Sequence, residues 1–347
     1  MMACSYHTKE IEQTKAIPLK YAKNFRLDSV QNGILLTIGE NNKRKHLFYL
    51  SNIKPASVPT GARWIQTPVK NILTLAGTDI GMLARIGEEE RICGVSNGST
   101  VYNREVLKRI QTKETADFRQ QDHLSFERIL MSKAGVITYS DFGKDFPHSK
   151  ELAKANVICI PILDWKERHP LGKTEWLKIY GYLCGKNRKA EALFSHSSNT
   201  YNKLKSNHTF VSKPKVFTGN QTGEIWFCPA GESYEAQLIA DAGGDYVYRS
   251  SKGTGSLSLS PEKVLTDNRH SSLWINPGIP TKEELQKKQP NSALFDAYKQ
   301  NNVYCYSGNM NKYWETAACY PEKLLSDLII IIHRKDHKKL NFYHQLK

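Results

Sequence analysis

The feature that most constrains this chain is an alternation of short apolar strands with helices that begins near Arg63, stops at Leu171 and restarts after Lys213-Pro214. Alternation of this kind produces a largely parallel sheet with helices on both faces. Its occurrence twice in 347 residues, too long a chain for one core, predicts two α/β lobes. Between them Leu171–Lys205 reads as a long helical segment, with Ala190, Leu193, Phe194, Tyr201 and Leu204 on its apolar side. The boundaries that follow are 1–20 for a tether, 21–170 for the first lobe, 171–207 for the connecting segment and 208–347 for the second lobe.

Local signals place the elements. Gly33–Ile38 and His46–Leu50 flank a turn at Glu40-Asn41-Asn42 and read as an extra hairpin before the first lobe. Asn71–Leu75, Arg91–Val95, Gly135–Tyr139 and Val157–Ile162 read as its strands. Thr78-Asp79 is placed to cap a helix over Ile80–Ile86, and Ser125 to cap one over Phe126–Met131. In the second lobe Lys215–Gly219, Ser272–Asn276 and Asn302–Tyr306 read as strands. Ser233 caps a helix that Gly243-Gly244 ends, Ser260-Pro261 opens another, and Pro321 begins the last, which runs to about His333.

Composition narrows the function classes. The net charge is +15, from 49 Lys and Arg against 34 Asp and Glu, and suits an anionic partner. The basic residues are scattered, densest at Asn42–Lys45 and Arg334–Lys339, and neither zinc-finger spacing nor an RNP pattern is present, so nucleic acid is not the expected partner. No apolar run approaches the ~18 residues of a spanning helix. There is no P-loop or dinucleotide glycine motif. No C-x-x-C or closed zinc spacing occurs, although Cys305 and Cys319 could pair across a loop.

The richest stretch is Val157–Gly185, VICIPILDWKERHPLGKTEWLKIYGYLCG. A buried strand breaks into the polar, aromatic loop Asp164–His169 and then turns helical after Pro170. Loops at the carboxyl ends of strands in α/β sheets are where ligands sit. A strand, a Trp-Glu loop, H-P-L-G-x-x-E-W and a helix together resemble the periplasmic substrate-binding proteins of iron-chelate and cobalamin ABC importers, of the helical-backbone class III, in particular the lipoprotein versions of Bacteroidetes. The resemblance runs from about Tyr21 to His333. It also rests on Gly223–Phe227, Ala240–Tyr246, Leu273–Ile275 and Leu324–Leu328 with His333.

The resemblance implies an α/β protein of two Rossmann-like lobes that captures a siderophore, haem or cobalamin in an inter-lobe cleft and delivers it to a permease dimer with its ATPase. It implies a monomer without catalytic residues, resident metal or cofactor, whose transported ligand carries the iron or cobalt. The implied contacts are Thr78, Asp79, Ser96, Asn97, Ser140, Asp141, Trp165, Glu167, Arg168 and His169 from the first lobe, and Trp226, Tyr234, Asn276, Tyr306, Tyr313 and Trp314 from the second. Glu127 and Glu262, each one residue beyond a capping Ser, match the glutamates that dock such proteins onto permease arginines. Met1-Met2-Ala3-Cys4-Ser5 is similar to the end of a lipoprotein signal, which makes Cys4 the expected lipid anchor, the only membrane attachment, and the periplasm the expected location. Two rivals stay open: a chelatase-like enzyme on a related fold, using Glu167 and His169, and a haem- or siderophore-handling lipoprotein without an importer.

Overall fold

The computed structural model describes residues 14–40, 45–119, 124–208, 210, 212–334 and 339–347. The expected anchor Cys4, most of the tether, the tip at 41–44 and most of the basic run after Arg334 lie outside these residues. The chain divides into two units. One runs to Leu163 and takes in Glu175–Glu191; the other holds Asp164–Thr174 and Ala192–Lys347. The segment expected as a connector is therefore shared, Glu175–Glu191 with the first unit and Ala192 onward with the second.

The first unit opens with a five-stranded sheet of its own, larger than the expected hairpin. Strands β1 (Lys15–Ile17), β2 (Phe25–Val30), β3 (Gly33–Ile38) and β4 (His46–Ser51) are antiparallel in sequence order, and β5 (Ala62–Gln66) joins β4 in parallel. The β3–β4 register sets Leu36 opposite Phe48, both fully buried. The second sheet is all parallel, ordered β10-β9-β6-β7-β8, from β6 (Ile72–Thr74), β7 (Ile92–Val95), β8 (Ala116–Asp117), β9 (Val136–Ser140) and β10 (Ile158–Ile162). Its strands are almost wholly buried runs of Ile, Leu and Val, as a sheet covered on both faces requires.

The second unit has a sheet ordered β14-β11-β16-β17-β18, from β11 (Lys215–Thr218), β14 (Asp245–Tyr246), β16 (Leu273–Ile275), β17 (Val303–Cys305) and β18 (His344–Gln345), with only β18 antiparallel. Strands β12 (Asn220–Thr222), β13 (Ile225–Pro229) and β15 (Ser256–Leu259) form a separate antiparallel sheet. Their inner face meets Phe217, Trp274 and Phe295. Trp226 lies 5.3 Å from Trp274 and 6.2 Å from Phe217, centroid to centroid, and packed aromatic pairs of this kind add about 0.5–1.5 kcal/mol each beyond burial.

The helix signals are realised closely. Ser125, Ser233 and Ser260 each accept a hydrogen bond from the amide three residues on, at 3.2, 3.1 and 3.2 Å, opening helices Phe126–Met131, Tyr234–Asp241 and Pro261–Asn268. Gly243 stops the second at φ 79°, where a Cβ would collide with the Phe210 ring. One cap is corrected. The first helix spans Gly77–Ile86 behind Ala76, so Thr78 and Asp79 lie inside its first turn rather than before it. Asn103 and Thr281 cap two helices not expected from the sequence, Arg104–Gln111 and Lys282–Lys288. The six described cysteines are all buried and none is in a disulfide, Cys305 and Cys319 among them, so the possible bridge is not made. Burial pushes the thiols of Cys93 and Cys228 up to about 11, and those of Cys159 and Cys184 to about 12.

Candidate functional site

The H-P-L-G-x-x-E-W motif divides between the units, and each polar residue in it has a task. Glu175, fully buried, accepts hydrogen bonds from the backbone amides of Lys20, Tyr21 and Ala22 at 2.8–3.1 Å and pairs with Lys178 at 2.9 Å. It thereby holds the entry to β2 against the first unit. Trp176 packs on Phe25 at 4.9 Å. Thr174 donates to the Ala318 carbonyl at 2.7 Å within the second unit. His169 Nδ1 accepts the Leu171 amide at 3.0 Å, which closes the turn into the helix Pro170–Glu175.

In the first unit the predicted contacts after β7 and β9 are small and polar. Asn97 caps the turn Gly98–Thr100 by accepting from the Ser99 amide at 3.0 Å. Asp141 accepts from Gly143 at 2.6 Å. Ser96 and Ser140 are half-buried beside them. Thr78 is half-buried, whereas Asp79 is 1% exposed and accepts the Tyr180 and Thr138 hydroxyls at 2.6 Å each. Asp79 is thus a structural carboxylate of the core, not an open contact.

The second unit gathers a denser group. The segment Asp164–Thr174 belongs to it and brings Trp165, Glu167, Arg168 and His169. Lys166 lies over the half-buried Trp165 ring at 5.0 Å, and exposed Arg168 pairs with Glu232 at 3.4 Å. Lys173 reaches Asp164 at 3.5 Å and sits 4.7 Å over the Tyr234 ring, while the Tyr234 hydroxyl donates to Glu235 at 3.2 Å. Tyr306 stacks on Tyr313 at 3.8 Å, with Trp314 edge-on at 5.5 Å and half exposed. Tyr343 lies 6.0 Å from Tyr313. Asn276 ends β16 with φ 60°, a left-handed conformation that Asn tolerates better than most residues. Two expected contacts are corrected: Trp226, 2% exposed, is a core ring donating to the Thr218 carbonyl, and Glu167 is 1% exposed.

Burial, first, drives the Tyr234, Tyr306, Tyr313 and Tyr343 hydroxyls well above the ordinary phenol value, with Glu235 adding to each shift. Burial also raises Glu235 itself, against the pull of Lys173. At neutral pH these tyrosines are therefore phenols. They offer hydrogen-bond donors and flat rings, and a metal would have to displace a tightly held proton to be ligated. Among the described residues no group of three or more His, Cys, Asp or Glu could hold a metal ion. Lys173, Glu235 and Tyr343 were not singled out in the sequence. Glu235 had a signal, since it follows the capped Ser233-Tyr234, while Tyr343 lies in a tail that no local pattern connects to the site.

Two parallel α/β units with polar and aromatic loops at their strand ends define a ligand-capturing class of protein. Residues 72–309 match the family described as periplasmic binding protein, and the chain belongs to that family. An uncharacterized lipoprotein of Methanocaldococcus jannaschii is 24% identical over 94% of this chain and 84% of its own length. Among solved structures, a periplasmic haem-binding protein from Pseudomonas aeruginosa aligns with TM-score 0.60 at 15% identity, covering 80% of this chain and 98% of its own. The periplasmic vitamin B12-binding protein BtuF of Vibrio cholerae aligns with TM-score 0.54 at 13% identity, covering 77% and 98%. At these identities the two structures establish the fold. Among the described residues no helix is long and apolar enough to cross a membrane.

Proposed function

We propose that this protein is the substrate-binding component of an ABC importer, which captures an iron chelate (siderophore or haem) or cobalamin and hands it to an inner-membrane permease without chemistry of its own. The observation that carries the reading is a matched pair of glutamates. Glu127 and Glu262 are both exposed, each in the first turn of a short helix, each behind a capping Ser, one on each unit. A carboxylate there is favoured by the helix terminus, but repetition of the whole surround on both units, in a chain of net charge +15, suits recognition of a two-fold basic partner. The phenols, the rings and Lys173 favour a ligand that brings its own metal-coordinating atoms together with planar or anionic groups. On this reading the protein works in the periplasm, tethered through Cys4.

The test is uptake. In cells that depend on this protein, Glu127→Ala with Glu262→Ala should bind ligand normally and fail to support import, because charge pairs at a rim act on encounter with the partner. Uptake at the wild-type rate overturns the importer reading. Native mass spectrometry and an absorption spectrum of protein purified from its cells identify the ligand. Cys4→Ser should move the protein from the membrane to the soluble fraction.

A further inference from the structure

We infer that Asp241 is the residue that positions the contact-bearing segment Asp164–Thr174, acting through His169. Its functional consequence rests on the proposed role of that segment in ligand capture; its structural part does not.

Asp241 is the last residue of the helix Tyr234–Asp241 and is 4% exposed. A carboxylate at that end meets the negative pole of the helix, and a buried charge costs several kcal/mol unless it is paired and hydrogen-bonded. Three groups offset the cost. The Tyr201 hydroxyl donates to Oδ2 at 2.8 Å, Gln237 donates to Oδ1 at 2.8 Å, and Lys205 Nζ lies 2.8 Å from Oδ1. The fourth partner comes from the segment itself: His169 Nε2 lies 3.8 Å from Oδ2, its ring 5.7 Å from that of Tyr201.

The tautomer makes this contact directional. Because Nδ1 accepts the Leu171 amide, the ring proton resides on Nε2 and faces the carboxylate. One imidazole thus closes the turn of the segment on one side and, at 3.8 Å, sets its other nitrogen beside a fixed charge on the helix whose first turn carries Tyr234 and Glu235. Arg168–Glu232 and Thr174–Ala318 fasten the same segment on either side. Asp241, Lys205 and Tyr201 face His169. Burial first, and then Lys205, hold its pKa below the ordinary value, while Asp241 opposes them.

Hydrogen exchange of the full chain without ligand tests the inference, with the Leu171–Lys173 amides as reporters. Asp241→Asn should speed their exchange at least tenfold and leave the strands of the first unit unchanged. His169→Asn can still accept the Leu171 amide locally but does not reach Asp241, so it should exchange like Asp241→Asn. Lys205→Met, a change on a half-exposed side chain, should keep the segment protected and raise the pH at which His169 titrates by NMR. Reporter exchange within twofold of wild type in the first two variants, or an unmoved His169 titration in the third, overturns the inference; should Asp241→Asn not fold, the other two decide. Titration with hemin, a ferric siderophore and cyanocobalamin is the separate functional arm. Asp241→Asn should weaken the probe that wild type binds about tenfold, and wild-type affinity in that variant overturns the functional consequence. Wild type binding none of the three overturns the ligand reading and leaves the exchange result standing.

Discussion

Asp79 and Asp241 are the same device used twice. Each is a buried carboxylate on a helix of its own unit, and each accepts a tyrosine hydroxyl from the helical stretch after Pro170: Tyr180 to Asp79 at 2.6 Å, Tyr201 to Asp241 at 2.8 Å. The difference lies in what joins the tyrosine. At Asp79 it is Thr138 of β9, a hydroxyl from the sheet. At Asp241 it is Lys205, Gln237 and His169, two of which carry or can carry charge. The first arrangement fixes a helix to a sheet. The second fixes a helix and, in addition, a loop bearing predicted contacts. A buried polar group thus serves packing in one unit and the placement of a loop that carries predicted contacts in the other.

Asp79→Ala should break the comparison most forcefully. It leaves the Tyr180 and Thr138 hydroxyls unsatisfied in the core, a loss of about 2–4 kcal/mol by urea denaturation, whereas Asp241→Asn should cost less than half of that. Tyr180→Phe comes next, at about 1–2 kcal/mol, against about 0.5–1 kcal/mol for Tyr201→Phe, because Asp241 keeps Lys205 and Gln237 as donors. Equal losses would mean the extra partners of Asp241 contribute nothing. The smallest effect is with pH. Since the folded His169 pKa lies below 6.5, its contribution is present above the unfolded value and is lost as pH falls through the folded one. Melting temperature followed from pH 7.5 to 4.5 should fall less in His169→Asn than in wild type. Glu235 acts with the opposite sign. Its folded pKa is raised above 4.5, so its contribution is present below that value and is lost as pH rises through the folded one. Glu235→Gln should therefore gain on wild type toward neutral pH.

Much of the fold was legible because its signals are local. A capping Ser, a Pro in the first turn and a Gly after the last turn act within four residues, and Ser125, Ser233, Ser260, Pro261 and Gly243 each do what their neighbours imply. The site was legible only in part. Trp226 lies on β13 and Trp314 in the helix Met310–Thr316, and one is 2% and the other 47% exposed. Strand register decides the first: on β13 the residues alternate, so Trp226 turns inward between the exposed Ile225 and Phe227. Asp79 was misplaced for a similar reason, since a shift of the helix start by three residues moves a capping position into a buried turn. Glu235 interacts with Lys173 and with Tyr343, both far from it along the chain, a distance no local pattern spans.

The unbridged cysteines carry a consequence for the life of the molecule outside a reducing cell. With the Cys93 and Cys228 thiols held at about 11, roughly one in ten thousand of each is thiolate at pH 7, and thiolate is the form that peroxide and disulfides attack. Cys159 and Cys184, at about 12, are scarcer still. Sulfenic acid formation or scrambled bridges are the usual toll of oxidants on exposed sulfur. Among the described residues all six cysteines are buried and none is bridged, so the two cores themselves shield the thiols.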